Sequence, residues 1–114
     1  MSKKKEKLGQ CYLESAKFIL DAYRSKNDCN RWFLVHGEVF SPTYNEYIGH
    51  AWVEINDTVF DSSVGMVGPL EGYYDYGKIK KFRKYTAEEM VDKLLKYGHY
   101  GPWEEEDEQA NLEV

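Results

Sequence analysis

Residues 47–62 constrain the fold of this 114-residue chain more than any other segment. Two runs rich in apolar and β-branched residues flank Asn56 and Asp57, a pair typical of a two-residue turn between antiparallel strands. A turn of that length sets the pairing of the strands: Ile55 with Thr58, and Val53 with Phe60. The segment therefore predicts a β-hairpin with one apolar face directed towards the core.

The same register decides which side chains share the other face of the hairpin. That face carries five residues: His50, Trp52, Glu54, Val59 and Asp61. On it, His50 and Asp61 become diagonal neighbours, roughly 5 to 8 Å apart at the backbone and within side-chain reach. A three-residue turn would instead direct Asp61 to the opposite face. Because a carboxylate beside an imidazole fixes its tautomer and stabilises its protonated form, this pair is a candidate for acid–base chemistry.

The pattern on either side of the hairpin predicts further elements. Apolar residues at helical spacing predict a helix over about 10–25, and the nearly continuous apolar run in 31–40 predicts a buried strand. Residues 65–77, rich in glycine and tyrosine, predict a long loop, and 78–85 a further strand. The loop contains three tyrosines, which either pack over a small core or line a cleft: Tyr73, Tyr74 and Tyr76.

A second helix is expected after this strand. Thr86 as N-cap and Glu89 three residues later form a capping box, which predicts the helix start, and Gly98 predicts its end. Four apolar residues are expected to point inward: Met90, Val91, Leu94 and Leu95. The order helix, strands, helix indicates an α+β fold, with the N-terminal helix packed on a small antiparallel sheet and a C-terminal helix.

Composition and charge exclude several classes of protein. With 42% hydrophobic residues the chain suits one packed domain, and its longest uninterrupted apolar run, residues 32–35, is far too short to span a membrane. The net charge is −5, but six of the twenty acids and none of the bases lie in residues 104–114. Outside that segment 15 bases face 14 acids, and a net charge of +1 argues against a dedicated nucleic-acid binder.

These features divide the chain into three parts. Residues 1–8 are expected to form a flexible basic N-terminus, residues 9–103 a single domain, and residues 104–114 a disordered acidic tail. The sequence has no recognisable targeting segment, so a cytoplasmic location is the default expectation. It does not indicate the oligomeric state.

Cys11 is the candidate nucleophile. We expect it in the first turn of the first helix, where unused backbone N–H groups and the helix dipole favour the thiolate and could receive an oxyanion. The alternative is that Cys11 is a small buried hydrophobic residue, as many unmodified cysteines are.

These segments together resemble a known superfamily. The run Gly9-Gln10-Cys11-Tyr12 resembles the nucleophile helix of papain-like cysteine peptidases, and His50-Ala51-Trp52 followed by Asp61 is similar to segments of transglutaminase-like proteins. The resemblance covers residues 9–63 and implies a Cys11–His50–Asp61 triad on a helix-and-sheet fold. Three neighbouring residues are candidates for oxyanion or cleft contacts: Gln10, Tyr12 and Trp52.

The resemblance favours a cysteine-dependent acyl-transfer enzyme: a peptidase, amidase, deamidase or transglutaminase. One alternative is a catalytically silent domain that binds a protein partner, and another is a small regulatory or inhibitory protein with a coincidental triad. In each case the expected substrate or partner is a protein or peptide, with no nucleic acid, membrane, metal or cofactor.

Other polar groups fit plainer roles. Cys29, His36 and His99 lack the spacing of a zinc site, and His36 is expected to pack within a buried strand. A disulfide between Cys11 and Cys29 is conceivable in an oxidising compartment and would abolish the proposed chemistry. The basic residues within 78–84 suit a solvated strand face balanced by the acidic tail, or alternatively a surface for an acidic partner.

Overall fold

The computed structural model describes residues 2–25 and 28–112 of the chain. Its elements are, in chain order, α1 (Ser2–Arg24), β1 (Trp32–Ser41), β2 (Glu46–Ile55), β3 (Thr58–Asp61), β4 (Met66–Pro69), α2 (Leu70–Gly77), β5 (Lys80–Thr86), α3 (Ala87–Tyr97) and α4 (Glu104–Leu112). The strands form one sheet in the order β4-β3-β2-β1-β5, and every neighbouring pair is antiparallel. The predicted α+β class is confirmed.

The central hairpin has the predicted turn and register. Asn56 and Asp57 adopt positive φ angles of 50° and 66°, the conformation that a two-residue turn of matching twist requires at both positions. The recorded pairs include both expected ones: Ile55 with Thr58, and Val53 with Phe60. The polar face of the hairpin is therefore the one that carries His50 and Asp61.

Helices cover both faces of the sheet. On one face, α1 and α3 enclose a core to which Ile19, Val53 and Met90 contribute fully buried side chains. On the other, Tyr73 and Tyr74 of α2 pack over a smaller cluster centred on three buried residues: Val35, Trp52 and Val59. The sheet thus separates two apolar layers, as an amphipathic hairpin between helices requires.

Helix α3 follows the sequence signals closely. Thr86 Oγ1 accepts a hydrogen bond from the Glu89 N–H at 3.1 Å, and the Glu89 carboxylate accepts from the Thr86 N–H at 2.9 Å. Gly98 closes the helix with a φ of 74°, in the left-handed region that glycine adopts without a steric penalty. The expectation for Leu95 is wrong, because this side chain is 81% exposed.

Two segments that were expected to lack regular structure are helical. Helix α1 begins at Ser2, so the expectation of a flexible segment over 1–8 is wrong for residues 2–8. Residues 104–112 form α4 instead of a disordered tail, since acidic residues stabilise a helix N-terminus and Asp107 accepts hydrogen bonds from Lys93 at 2.5 Å and Tyr97 at 2.6 Å. The last two residues of the predicted tail, 113 and 114, lie outside the described residues.

The predicted long loop over 65–77 is also wrong. Most of it forms β4 and α2, and β4 pairs with β3 along its length. Helix α2 is held to the sheet by the hydroxyl groups of Tyr73 and Tyr74, each hydrogen bonded to a buried carboxylate. These tertiary contacts offset the low helix propensity of the glycines. Among the described helices, none is long and apolar enough to cross a membrane.

Candidate active site

Cys11 lies in the interior of α1, with its side chain only 1% exposed and packed beside Tyr12 and Ala51. The expectation that it occupies the first turn is wrong, because α1 begins nine residues earlier, at Ser2. Backbone N–H groups within a helix are hydrogen bonded to the carbonyl four residues earlier. The N–H groups around Cys11 are therefore engaged, and the predicted oxyanion role for them has no structural basis.

His50 and Asp61 form a buried pair on the polar face of the hairpin. His50 Nε2 lies 2.7 Å from Asp61 Oδ2, and the two residues are 8% and 2% exposed. Strand β2 supplies the histidine and β3 the aspartate, so the two-residue turn between them is what brings the groups together. The proximity expected from the register is present.

Cys11 reaches the same histidine from α1. Its side chain lies close enough to His50 to help raise the pKa of the imidazole. Asp61 contacts Nε2, which leaves the other ring nitrogen, the buried Nδ1, as the candidate partner for the sulfur. The imidazole therefore lies between a thiol and a carboxylate, the arrangement of nucleophile, base and orienting acid.

The electrostatics of the pair favour its charged form. Burial alone would lower the pKa of His50, but its hydrogen bonds to Asp61 and Cys11 and their charges outweigh burial and raise that pKa to about 9. Burial would likewise raise the pKa of Asp61. The hydrogen bond and charge of His50, helped by hydrogen bonds from Ser63 and Tyr73, outweigh burial and hold that pKa below its ordinary value. An imidazolium–carboxylate pair is thus stable at neutral pH.

Two further side chains hold the Asp61 carboxylate. Ser63 donates its hydroxyl to Oδ1 at 2.6 Å, and Tyr73 donates to Oδ2 at 2.7 Å, the oxygen that also contacts His50. The sequence predicted no role for Ser63, and for Tyr73 only packing over the core or lining a cleft. Ser63 follows Asp61 by two positions, a spacing that suits a local hydrogen bond. Tyr73 lies twelve residues away on a helix that the sequence did not predict, so the sequence contained no comparable signal for it.

Trp52 supports His50 and does not supply an oxyanion donor. Its indole ring stacks on the imidazole with centroids 6.0 Å apart, while its N–H donates to Glu54 Oε2 at 2.9 Å. Gly37 pairs with His50 across β1 and β2, and a Cβ there would lie 2.8 Å from the Trp52 ring. The absence of a side chain at Gly37 allows Trp52 to lie in this position.

The other two predicted contacts differ from each other. Gln10 is exposed on α1 and is not among the described residues that line the cleft beside His50. Tyr12 is buried next to Cys11, and burial above all raises the pKa of its phenol. Tyr12 therefore packs at the site as a neutral side chain.

A cleft of about 400 Å³ opens beside the pair, and His50 and Asp61 form part of its wall. Most of its other lining residues are apolar or aromatic, including Ile48, Met66 and Tyr73. Cys11 is not among the described residues that line it. A larger groove of about 610 Å³, lined mainly by charged residues of β5 and α3, includes no described member of the triad.

Cys29 and the other histidines do not belong to the group formed by Cys11, His50 and Asp61. Cys11 and Cys29 are both described and form no disulfide. His36 is buried as expected, and its ring packs edge-on against Tyr12 and Tyr85 and beside Trp103. Over the residues that the structure describes, no group of three or more histidine, cysteine or acidic residues is arranged to hold a metal ion.

The basic and acidic segments are in contact. Arg83 Nη2 of β5 lies 3.7 Å from Glu104 Oε1 of α4, and Lys84 Nζ lies 2.7 Å from the buried Glu54 carboxylate. Of these two contacts, only the exposed and weak Arg83–Glu104 pair supports the prediction that the acidic segment neutralises the charge of the basic strand.

No family model, curated protein or solved structure matches this chain. Fold alone does not define an activity. Cys11, His50, Asp61 and their surroundings are therefore the basis for proposing a function.

Proposed function

We propose that this protein is a cysteine-dependent acyl-transfer enzyme. The observation that supports this most is the convergence of Cys11, His50 and Asp61 from three separate elements around one buried imidazole. Buried polar groups are costly unless they are paired, so a thiol, an imidazole and a carboxylate in this order need an explanation beyond packing.

In the proposed reaction, Cys11 Sγ attacks an acyl carbonyl while His50 already holds its proton. The bond between the carbonyl carbon and the leaving amine breaks, and His50 returns the proton to that amine. Water or a second amine then attacks the thioester and gives a proton to His50. The carbon–sulfur bond breaks, and the starting Cys11–His50 pair is restored with the proton on His50. Asp61 keeps the imidazole oriented and stabilises its charge throughout.

Alkylation by iodoacetamide tests the nucleophile directly. At pH 6.5 we expect Cys11 to react roughly tenfold or more faster than Cys29, because under the proposed function His50 takes the proton of its sulfur. Cys29 is an internal control: burial and, secondarily, the charge of Asp28 raise its pKa. Peptide mapping by mass spectrometry gives the rate at each cysteine separately.

A matched pair of variants separates the partner from general packing. His50→Gln should slow the alkylation of Cys11 and leave that of Cys29 unchanged. His36→Gln alters the other buried histidine of the sheet and should change neither rate. Equally slow labelling of both thiols, or an equal effect of the two variants, would contradict the proposal. Amine-incorporation, ammonia-release and peptide-cleavage assays then distinguish transamidation from hydrolysis.

A second candidate is a catalytically silent protein-binding domain on the same scaffold. It is favoured by the 1% exposure of Cys11 and by the engagement of the surrounding helical N–H groups. The two candidates differ in one outcome. If Cys11→Ala leaves the biological activity intact, the binding function is supported and the enzymatic one is not.

The proposed substrate or partner is a protein or peptide, since the cleft beside His50 offers apolar and aromatic contacts to an extended chain. We also propose a cytoplasmic location. The nucleophile must be a thiol, and a reducing compartment keeps thiols in that form.

A further inference from the structure

Tyr73 and Tyr74 are consecutive residues of α2, and each donates its hydroxyl to a buried carboxylate. Tyr73 donates to Asp61 Oδ2 at 2.7 Å, and Tyr74 donates to Glu54 Oε2 at 2.5 Å. The two acceptors are 2% and 2% exposed. Helix α2 is therefore attached to the sheet by two similar bonds, of which only one ends on the triad.

The acceptor oxygen distinguishes Tyr73. Asp61 Oδ2 receives both the Tyr73 hydroxyl and His50 Nε2, each at 2.7 Å, while Oδ1 receives Ser63. The carboxylate is thus held at both oxygens by groups outside the triad. A bond to the shared oxygen limits rotation of the carboxylate, and it also takes part of the negative charge that would otherwise face the imidazole.

We propose that Tyr73 is a positioning residue of the triad: its hydroxyl fixes the Asp61 carboxylate in the orientation that holds His50 towards Cys11. Tyr73 also lines the cleft, so the same side chain links the cleft wall to the base. This inference rests on the proposed function, because a positioning role has catalytic meaning only if Cys11 is the nucleophile.

Packing alone does not account for the hydroxyl. The Tyr73 ring contacts Trp52 with centroids 5.3 Å apart, a contact that phenylalanine would keep. Burial and the bond to Asp61 raise the pKa of this phenol, so it remains a neutral donor over the range in which the triad would operate. Tyr74→Phe is the matched control, because it removes a neighbouring hydroxyl from the same helix while sparing Asp61.

The test uses the full chain and two readouts. The first is the NMR titration of the His50 ring, assigned by its loss in His50→Gln. Tyr73→Phe should raise its midpoint by roughly half a pH unit, because the shared oxygen then serves His50 alone. The second is the rate of Cys11 alkylation, which should fall roughly threefold as the orientation of the pair loosens. Tyr74→Phe should change neither.

The two readouts separate the possible failures. An unchanged or lowered His50 midpoint in Tyr73→Phe, or an equal change in Tyr74→Phe, would overturn the positioning role. A wild-type Cys11 no more reactive than Cys29 would refute the proposed enzyme, while the His50 titration would still decide whether Tyr73 orients the Asp61–His50 pair.

Discussion

The two buried histidines should give the stability of this protein a maximum near pH 6.5. Burial lowers the pKa of His36 to about 4, whereas the bonds of His50 to Asp61 and Cys11 overcome burial and raise its pKa to about 9. Both groups have a pKa of about 6.5 in an unfolded chain. The folded state therefore excludes a proton from His36 and retains one on His50, so their contributions to stability decline in opposite directions of pH.

The sign of each contribution follows from proton linkage. Between pH 6.5 and about 4 the unfolded chain binds a proton that folded His36 does not, so stability falls as the pH is lowered. Between pH 6.5 and about 9 folded His50 keeps a proton that the unfolded chain loses, so stability falls as the pH is raised. Each shift spans about 2.5 pH units, which at 1.36 kcal/mol per unit corresponds to about 3 kcal/mol.

Urea unfolding between pH 4.5 and 9 measures both declines. His50→Gln should flatten the alkaline decline, and His36→Phe should flatten the acidic one, whatever their effects on stability at pH 6.5. Rings surround His36 on three sides, from Tyr12, Tyr85 and Trp103, so phenylalanine suits the site. A wild-type profile that is flat from pH 6.5 to 9, or an alkaline decline that persists in His50→Gln, would refute the linkage argument.

Two further substitutions test individual contacts. Gly37→Ala places a methyl group 2.8 Å from the Trp52 ring and 3.0 Å from the Phe82 Cβ, so we expect the free energy of unfolding in urea to fall by about 1–3 kcal/mol. Gly68→Ala is the control and should cost much less, because a Cβ there would meet no atom within 4 Å apart from its chain neighbours. Equal losses would show that crowding at Trp52 is not the cause. Asp107→Asn replaces the charged carboxylate, whose bond with Tyr97 raises the pKa of that phenol to about 12, by a neutral amide, so an NMR titration of Tyr97 should move towards pH 10. An unchanged titration in Asp107→Asn, or the same shift in the nearby Glu108→Gln, would exclude that bond as the cause.

The hairpin was predictable because its register is decided locally. Asn56 and Asp57 define a two-residue turn, and strand pairing has a strict period of two. Those two facts place His50 and Asp61 on one face before anything is known of the rest of the fold. Helix α3 was predictable for the same reason, since its capping box and its terminal Gly98 are signals read within a few residues.

The position of Cys11 within α1 was not predictable from the motif around it. Lysine and glutamate, which dominate residues 3–7, are good helix formers, so the basic segment extends the helix instead of ending it. Helix α2 was missed because its stability depends on tertiary bonds from Tyr73 to Asp61 and from Tyr74 to Glu54. Such bonds join residues whose proximity exists only after the sheet has formed.

Because α1 begins at Ser2, activation of Cys11 and stabilisation of an oxyanion need separate structural explanations. Sequence analysis drew both from the placement of Cys11 in a first turn, where dipole and unused N–H groups would act together. In the structure, Cys11 lies beside His50, and His50 is bonded to Asp61, so under the proposed function these two residues would activate the sulfur. An acyl-transfer enzyme of this geometry must therefore take its oxyanion donors from groups other than the N–H of Cys11. Alkylation of Cys11 forms no oxyanion, so the effect of His50 and Asp61 on the alkylation rate can be measured without knowing where those donors lie.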